Sequence, residues 1–261
     1  MAERDIEALE SYQLIPKLLH DVTNVDASCQ LLGGTYDAPI VPLLERALGR
    51  APADIRTLSL VDAELLLEQS DVHFNLSVPL LKPDKMGDLM PKVRKLAAAG
   101  VPAFALDLSV LADTPPYGSH AWRPRTREDL AELRAAAGVP LWLYGVCSVA
   151  DADIASEAGL EGVVVTSGAG HFISGPAAAE IFPDIFDAVA GTISVYAGGP
   201  VRSGIDVFRY LAIGAEAVIV DSDRSLENLS AELHYAMRLT GCRTLADIGY
   251  EAVFAPLFGE V

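Results

Sequence analysis

Cationic side chains, sulfur and long apolar runs are scarce in this sequence. Lys and Arg number 19 against 36 Asp and Glu, giving a formal net charge of −17. A surface of that sign repels nucleic acid and anionic membranes, so neither is expected as a partner. No segment reaches the roughly 20 uninterrupted apolar residues that a membrane span requires. The opening MAERDIEALESYQ carries charges of both signs and no apolar h-region, so it does not read as a secretory signal. The three cysteines, Cys29, Cys147 and Cys242, leave one over in any disulfide scheme. They also lack zinc spacing, so a reduced, cytoplasmic protein is the expectation. No local metal motif such as H-E-x-x-H is present, and no metal is expected.

What is present is apolar bulk in a regular rhythm. The chain has 261 residues, 51% of them hydrophobic, enough for one globular domain over residues 1–261 without staples. Strands are expected at Pro39–Pro42, Ile55–Leu60, Val72–Val78, Ala103–Ser109, Leu141–Val146, Gly162–Thr166, Ile193–Ala197 and Ala217–Val220. The runs LWLYGV, GVVVT, ISVYA and AVIV are apolar throughout, as parallel strands covered on both faces are. Helical patterns fall between them at Lys85–Ala99, Arg127–Ala137, Val149–Ala158, Ala177–Val189, Gly204–Ile213 and Leu226–Leu239. Gly100, Gly138, Gly159, Gly191 and Gly214 follow helices, where C-terminal caps are expected. Strict βα alternation argues for a single (β/α)8 barrel, with an open doubly wound sheet as the competing fold.

In such a barrel the functional groups lie just after the strands. That rule selects Ser59 and Asp62, Asn75 and Ser77, Asp107 and Ser109, Tyr144 and Cys147, Thr166 to His171, Gly198 to Arg202, and Asp221 to Arg224. Cys147 has no neighbour in sequence that would activate its thiol. The stretch Leu111–Pro124 reads either as a lid over the mouth, with His120 and Trp122, or as a plain surface connection.

From Gly138 to Ile248 the text resembles the FMN-dependent α-hydroxy-acid oxidases and dehydrogenases. GVPLWLYGV, AGLEGVVVTSGAG, GPAAAEIFPDIFDAVAG, ISVYAGGPVRSGIDVFRYLAIGAEAVIV and AELHYAMRLTGCRTLADI carry the resemblance. It implies a shortened N-terminal extension and an FMN at the barrel mouth, and homo-oligomers are common among such proteins. The site positions depart from the pattern. Tyr144 stands where the resemblance implies a lysine on the flavin ring. Gly168 stands at the catalytic histidine and His171 at the arginine that grips the substrate carboxylate. Gly198 replaces an aspartate, Asp221-Ser222 replaces the Gly-Arg of the phosphate site, and Asn75 matches a flavin-contacting glutamine. Arg202 is retained.

Loss of one bidentate arginine removes about 1.5–3 kcal/mol. A carboxylate about 4 Å from a phosphate, at an effective dielectric near 20, opposes it by roughly 4 kcal/mol per charge pair. The expectation from these terms is that FMN is lost and that no cofactor is bound. On that reading the protein is a flavin-independent enzyme working on a small carboxylate or carbonyl compound by isomerisation, elimination or cyclisation. Tyr144, His171 and Asp107 are the catalytic candidates, and Arg202, Asn75, Ser167 and Asp221 the substrate-binding ones. Two alternatives stay open: a divergent FMN-dependent hydroxy-acid oxidoreductase, and a non-catalytic barrel serving as a binding subunit. Self-association is also left open.

Overall fold

The computed structural model describes residues 2–44, 55–68, 73–111, 125–167, 175–221 and 224–255. Eight parallel strands close into a barrel. They are β4 (Ile40–Leu44), β5 (Ser59–Asp62), β6 (Ser77–Leu81), β7 (Phe104–Asp107), β8 (Leu141–Val146), β9 (Gly162–Val165), β10 (Ser194–Ala197) and β11 (Val218–Val220). β11 pairs with β4, Val218 opposite Ile40, which completes the ring. The open-sheet alternative is thereby excluded.

Helices cover the outside: α2 (Ala63–Glu68), α3 (Met86–Ala98), α4 (Arg127–Ala137), α5 (Val149–Glu157), α6 (Ala178–Val189), α7 (Gly204–Ala212) and α8 (Leu226–Thr240). Their starts follow from short polar caps. The hydroxyls of Ser148, Ser203 and Ser225 accept from the backbone N–H three residues on, and Thr126 with Asp129 forms a capping box. Gly138 ends α4 with φ 66°, the left-handed conformation its position required.

Before the barrel come α1 (Ala2–Glu10), β1 (Gln13–Leu14) and the hairpin β2 (Cys29–Leu31) and β3 (Gly34–Tyr36). β1 pairs with the final strand, β12 (Val253–Phe254). The hairpin feeds straight into the N-terminal end of β4. Its Leu31 and Tyr36 join the inward barrel residues in one buried cluster and close that end. The barrel is therefore a filled core with one open end. No helix among the described residues is long and apolar enough to cross a membrane.

Two strands start later than the apolar pattern indicates. β5 begins at Ser59 and β6 at Ser77, so Ser59 and Asn75 lie at the closed end. Asn75 sits in the 3-10 turn Phe74–Leu76 that leads into β6. The third expected strand ends at Val78, just ahead of Pro79, whereas Pro79 occupies the third position of β6, opposite Val61.

Candidate active site

Side chains alternate along each strand, and burial separates the two rows. Leu58 and Leu60, Val78 and Leu80, Ala103 and Ala105, Trp142 and Tyr144, and Ala217 and Ile219 face the barrel axis. Val61, Leu81, Leu106, Leu143 and Val220 face the helices. Extending the inward rows to the C-terminal ends places Asp62, Lys82, Asp107, Tyr144, Thr166, Gly198 and Asp221 around the mouth.

Asp107 and Tyr144 are register partners on β7 and β8, both buried. The Asp107 carboxylate accepts at Oδ1 from the Ser109 N–H at 2.9 Å and the Ser109 hydroxyl at 2.6 Å. This turn packs on Gly145, whose φ is +93° and where any Cβ would come within 2.7 Å of Ser109 N. The glycine after Tyr144 is thus dictated by close approach of the Asp107–Ser109 backbone.

Ser167, proposed as a substrate contact, faces the helices. Its hydroxyl donates to Asp5 Oδ2 at 2.6 Å, and Asp5 Oδ1 accepts from Ala178 N at 3.0 Å. Ser167 and Asp5 are both at or below 1% exposure, so Ser167 is a packing partner of α1 and not a mouth residue. Asn75 is likewise corrected, since it lies at the opposite end of the barrel. His171 and Gly168 lie outside the described residues, as do Ser222, Asp223, His120 and Trp122.

Cys147 lies past the rim, beside a cavity of about 300 Å³ outside the barrel wall, lined also by Leu108, Leu130, Leu143 and Asp151. Its thiol donates to the Thr166 carbonyl at 2.9 Å. Burial, reinforced by Asp5 and Asp151, pushes it up to about 12, which disfavours the thiolate at neutral pH. No group of three or more metal-ligating side chains occurs among the described residues.

The ends of β10 and β11 hold two cations close together. Arg224 Nη1 donates to the Arg202 carbonyl at 2.9 Å. Arg224 Nη2 pairs with Glu232 at 2.5 Å, and Arg202 Nη2 pairs with Glu10 of α1. Gly198-Gly199 precedes Arg202 on the loop after β10, with φ +126° at Gly199. A Cβ on Gly198 would lie 3.3 Å from Thr166 Cβ and from Val164 Cγ1, tighter than ordinary contact.

A family model described as FMN-dependent dehydrogenase matches residues 116–255. The chain belongs to the FMN-dependent dehydrogenase family. A peroxisomal (S)-2-hydroxy-acid oxidase, GLO4, of Oryza sativa subsp. japonica is 26% identical over 94% of this chain and 85% of its own length. GLO3 of Arabidopsis thaliana is 30% identical over 69% of this chain and 50% of its own. Among solved structures, a flavocytochrome b2 variant superposes with TM-score 0.85 at 20% identity, covering 97% of this chain and 78% of that one. A mandelate oxidase variant with a monooxide FMN adduct gives 0.76 at 25% identity, covering 94% and 88%.

Membership in the FMN-dependent dehydrogenase family overturns the expectation of a flavin-independent enzyme without a cofactor. That expectation set the Asp221 carboxylate about 4 Å from the phosphate at an effective dielectric near 20. Asp221 is exposed, where solvent and salt screen its repulsion. At its phosphate end an FMN would find two arginines on the loops after β10 and β11, each now paired with a glutamate, and the Gly198-Gly199 backbone. At the ring end the departures are Tyr144, which replaces an ammonium by a phenol, and Asn75, which replaces a glutamine and lies at the closed end.

Proposed function

We propose that this protein is an FMN-linked oxidoreductase acting on a small 2-hydroxy acid, with ring contacts that differ from those of its relatives. The hydrogen bond from Arg224 to the Arg202 carbonyl, which joins the loops after β10 and β11, carries this reading. The relatives named as hydroxy-acid oxidases support the substrate class.

Arg202, Arg224 and the Gly198-Gly199 backbone would hold the phosphate. Bound there, FMN supplies an acceptor for two electrons. Tyr144 offers a phenolic donor at the ring in place of a lysine. Asp107, its carboxylate fixed by two bonds from Ser109, is placed to accept the substrate hydroxyl proton. The low polarity of the barrel interior below Tyr144 keeps water from that side of the site. All three cysteines are free thiols, which accords with a reducing, cytoplasmic setting.

The test is a visible spectrum of the purified protein before and after incubation with FMN, followed by anaerobic addition of L-lactate and glycolate. Flavin absorption that bleaches with one of these acids is the expected result. A protein that stays colourless after incubation with FMN would sink the proposal.

A further inference from the structure

We infer that Lys82 is the residue that binds the carboxylate of the substrate, an inference that rests on the functional reading above. A 2-hydroxy acid is an anion, and the mouth is poor in positive charge. Three carboxylates, Asp62, Asp107 and Asp221, stand at the ends of inward rows and repel it. Tyr144 brings no charge. Among the described residues of that ring, Lys82 is the one cation.

Its position follows from the strand period. Val78 and Leu80 of β6 point into the barrel, and Leu81 points out, so Lys82 continues the inward row one step beyond the strand. Asp62 continues the Leu58 and Leu60 row of β5 in the same way. The two side chains meet at 3.6 Å on the rim between β5 and β6.

That distance also sets what Lys82 can do. It lies beyond hydrogen-bond range, unlike Lys92, which holds Asp84 at 2.8 Å one loop further out. Asp62 is engaged elsewhere: its Oδ1 accepts from Glu64 N at 2.9 Å and Leu65 N at 3.1 Å, capping α2. Asp62 thus attracts the ammonium without directing its three donors, and an incoming carboxylate can take them. Lys82 is half exposed, as a group that meets ligands from solvent must be.

The experiment is calorimetric titration of oxalate, L-lactate and, as the uncharged control, L-lactamide into the flavin-free and FMN-loaded protein. Lys82→Met is expected to weaken both carboxylates by about ten- to a hundredfold, the loss of one charge-assisted contact. L-Lactamide should bind as before. Lys82→Arg should retain most of the affinity. Asp62→Asn keeps the cap on α2 while removing the competing charge, and should tighten oxalate several-fold. Equal binding of oxalate by Lys82→Met and the parent protein overturns the assignment. So does an equal loss of lactamide, the mark of a structural effect, or no carboxylate binding by the parent protein. Flavin uptake is read separately from its spectrum, so failure of the functional reading and failure of the Lys82 assignment are told apart.

Discussion

Ser167 donates its hydroxyl to the carboxylate of Asp5 at 2.6 Å, tying α1 to the end of β9. The same carboxylate receives the Ala178 N–H at the start of α6. One buried carboxyl group therefore joins three segments: the N-terminal helix, the end of the sixth barrel strand and the helix after it. Removing it leaves two buried donors unanswered, which is costlier than losing the bonds themselves. Asp5→Ala is expected to lower stability by about 3 kcal/mol, and Asp5→Asn, which keeps one accepting oxygen, by less. Urea unfolding followed by circular dichroism measures both. Unchanged midpoints would show that α1 docks without this contact.

Cys147 bears on pH dependence. Its thiol is raised to about 12 in the folded protein, chiefly by burial, against an ordinary value of 9.0. The folded state therefore holds this proton more tightly than the unfolded chain does. The resulting stabilisation is complete below pH 9.0 and declines as pH rises toward about 12. Cys29, raised to about 11 by burial and Asp37, adds to the same decline. Alkylation of native protein by iodoacetamide at neutral pH should be slow at both sites and rapid after denaturation, as read by mass spectrometry. Fast modification of Cys147 in the native state would contradict the placement of its thiol.

The paired arginines give a third expectation. Arg224→Ala removes one of two guanidiniums near the phosphate position and should weaken FMN binding by about ten- to a hundredfold. Glu10→Gln releases Arg202 from its carboxylate partner and should strengthen it modestly. The Arg202–Glu10 pair is about half exposed on both sides, so its loss should cost stability less than about 1 kcal/mol. Flavin fluorescence quenching on titration reads the affinities. Equal affinities in all three proteins would place the phosphate elsewhere.

The barrel was legible because LWLYGV, GVVVT, ISVYA and AVIV announce strands covered on both faces. Helix ends were legible where a capping residue marks them, such as Ser203 before α7 and Gly138 after α4. The early strands were harder to read. Proline ordinarily breaks a ladder, so Pro79 pointed to an end where β6 in fact continues, and Asn75 was carried to the wrong side of the barrel. That displacement also hid Lys82. Ser167 was misjudged for another reason: the residue after an apolar run can face either way, and a partner as remote as Asp5 leaves no trace in the local text. The flavin expectation failed because a few local substitutions were taken to decide the cofactor, whereas the family pattern extends over residues 116–255.

The hairpin of β2 and β3 makes the barrel a vessel with a sealed floor. Whatever reacts inside must leave by the doorway through which it came, so a spent molecule blocks its successor until it departs. Discharge past Asp62, Lys82 and Asp107 then falls under the same electrostatic toll as admission, and a charge change at that rim alters both passages together.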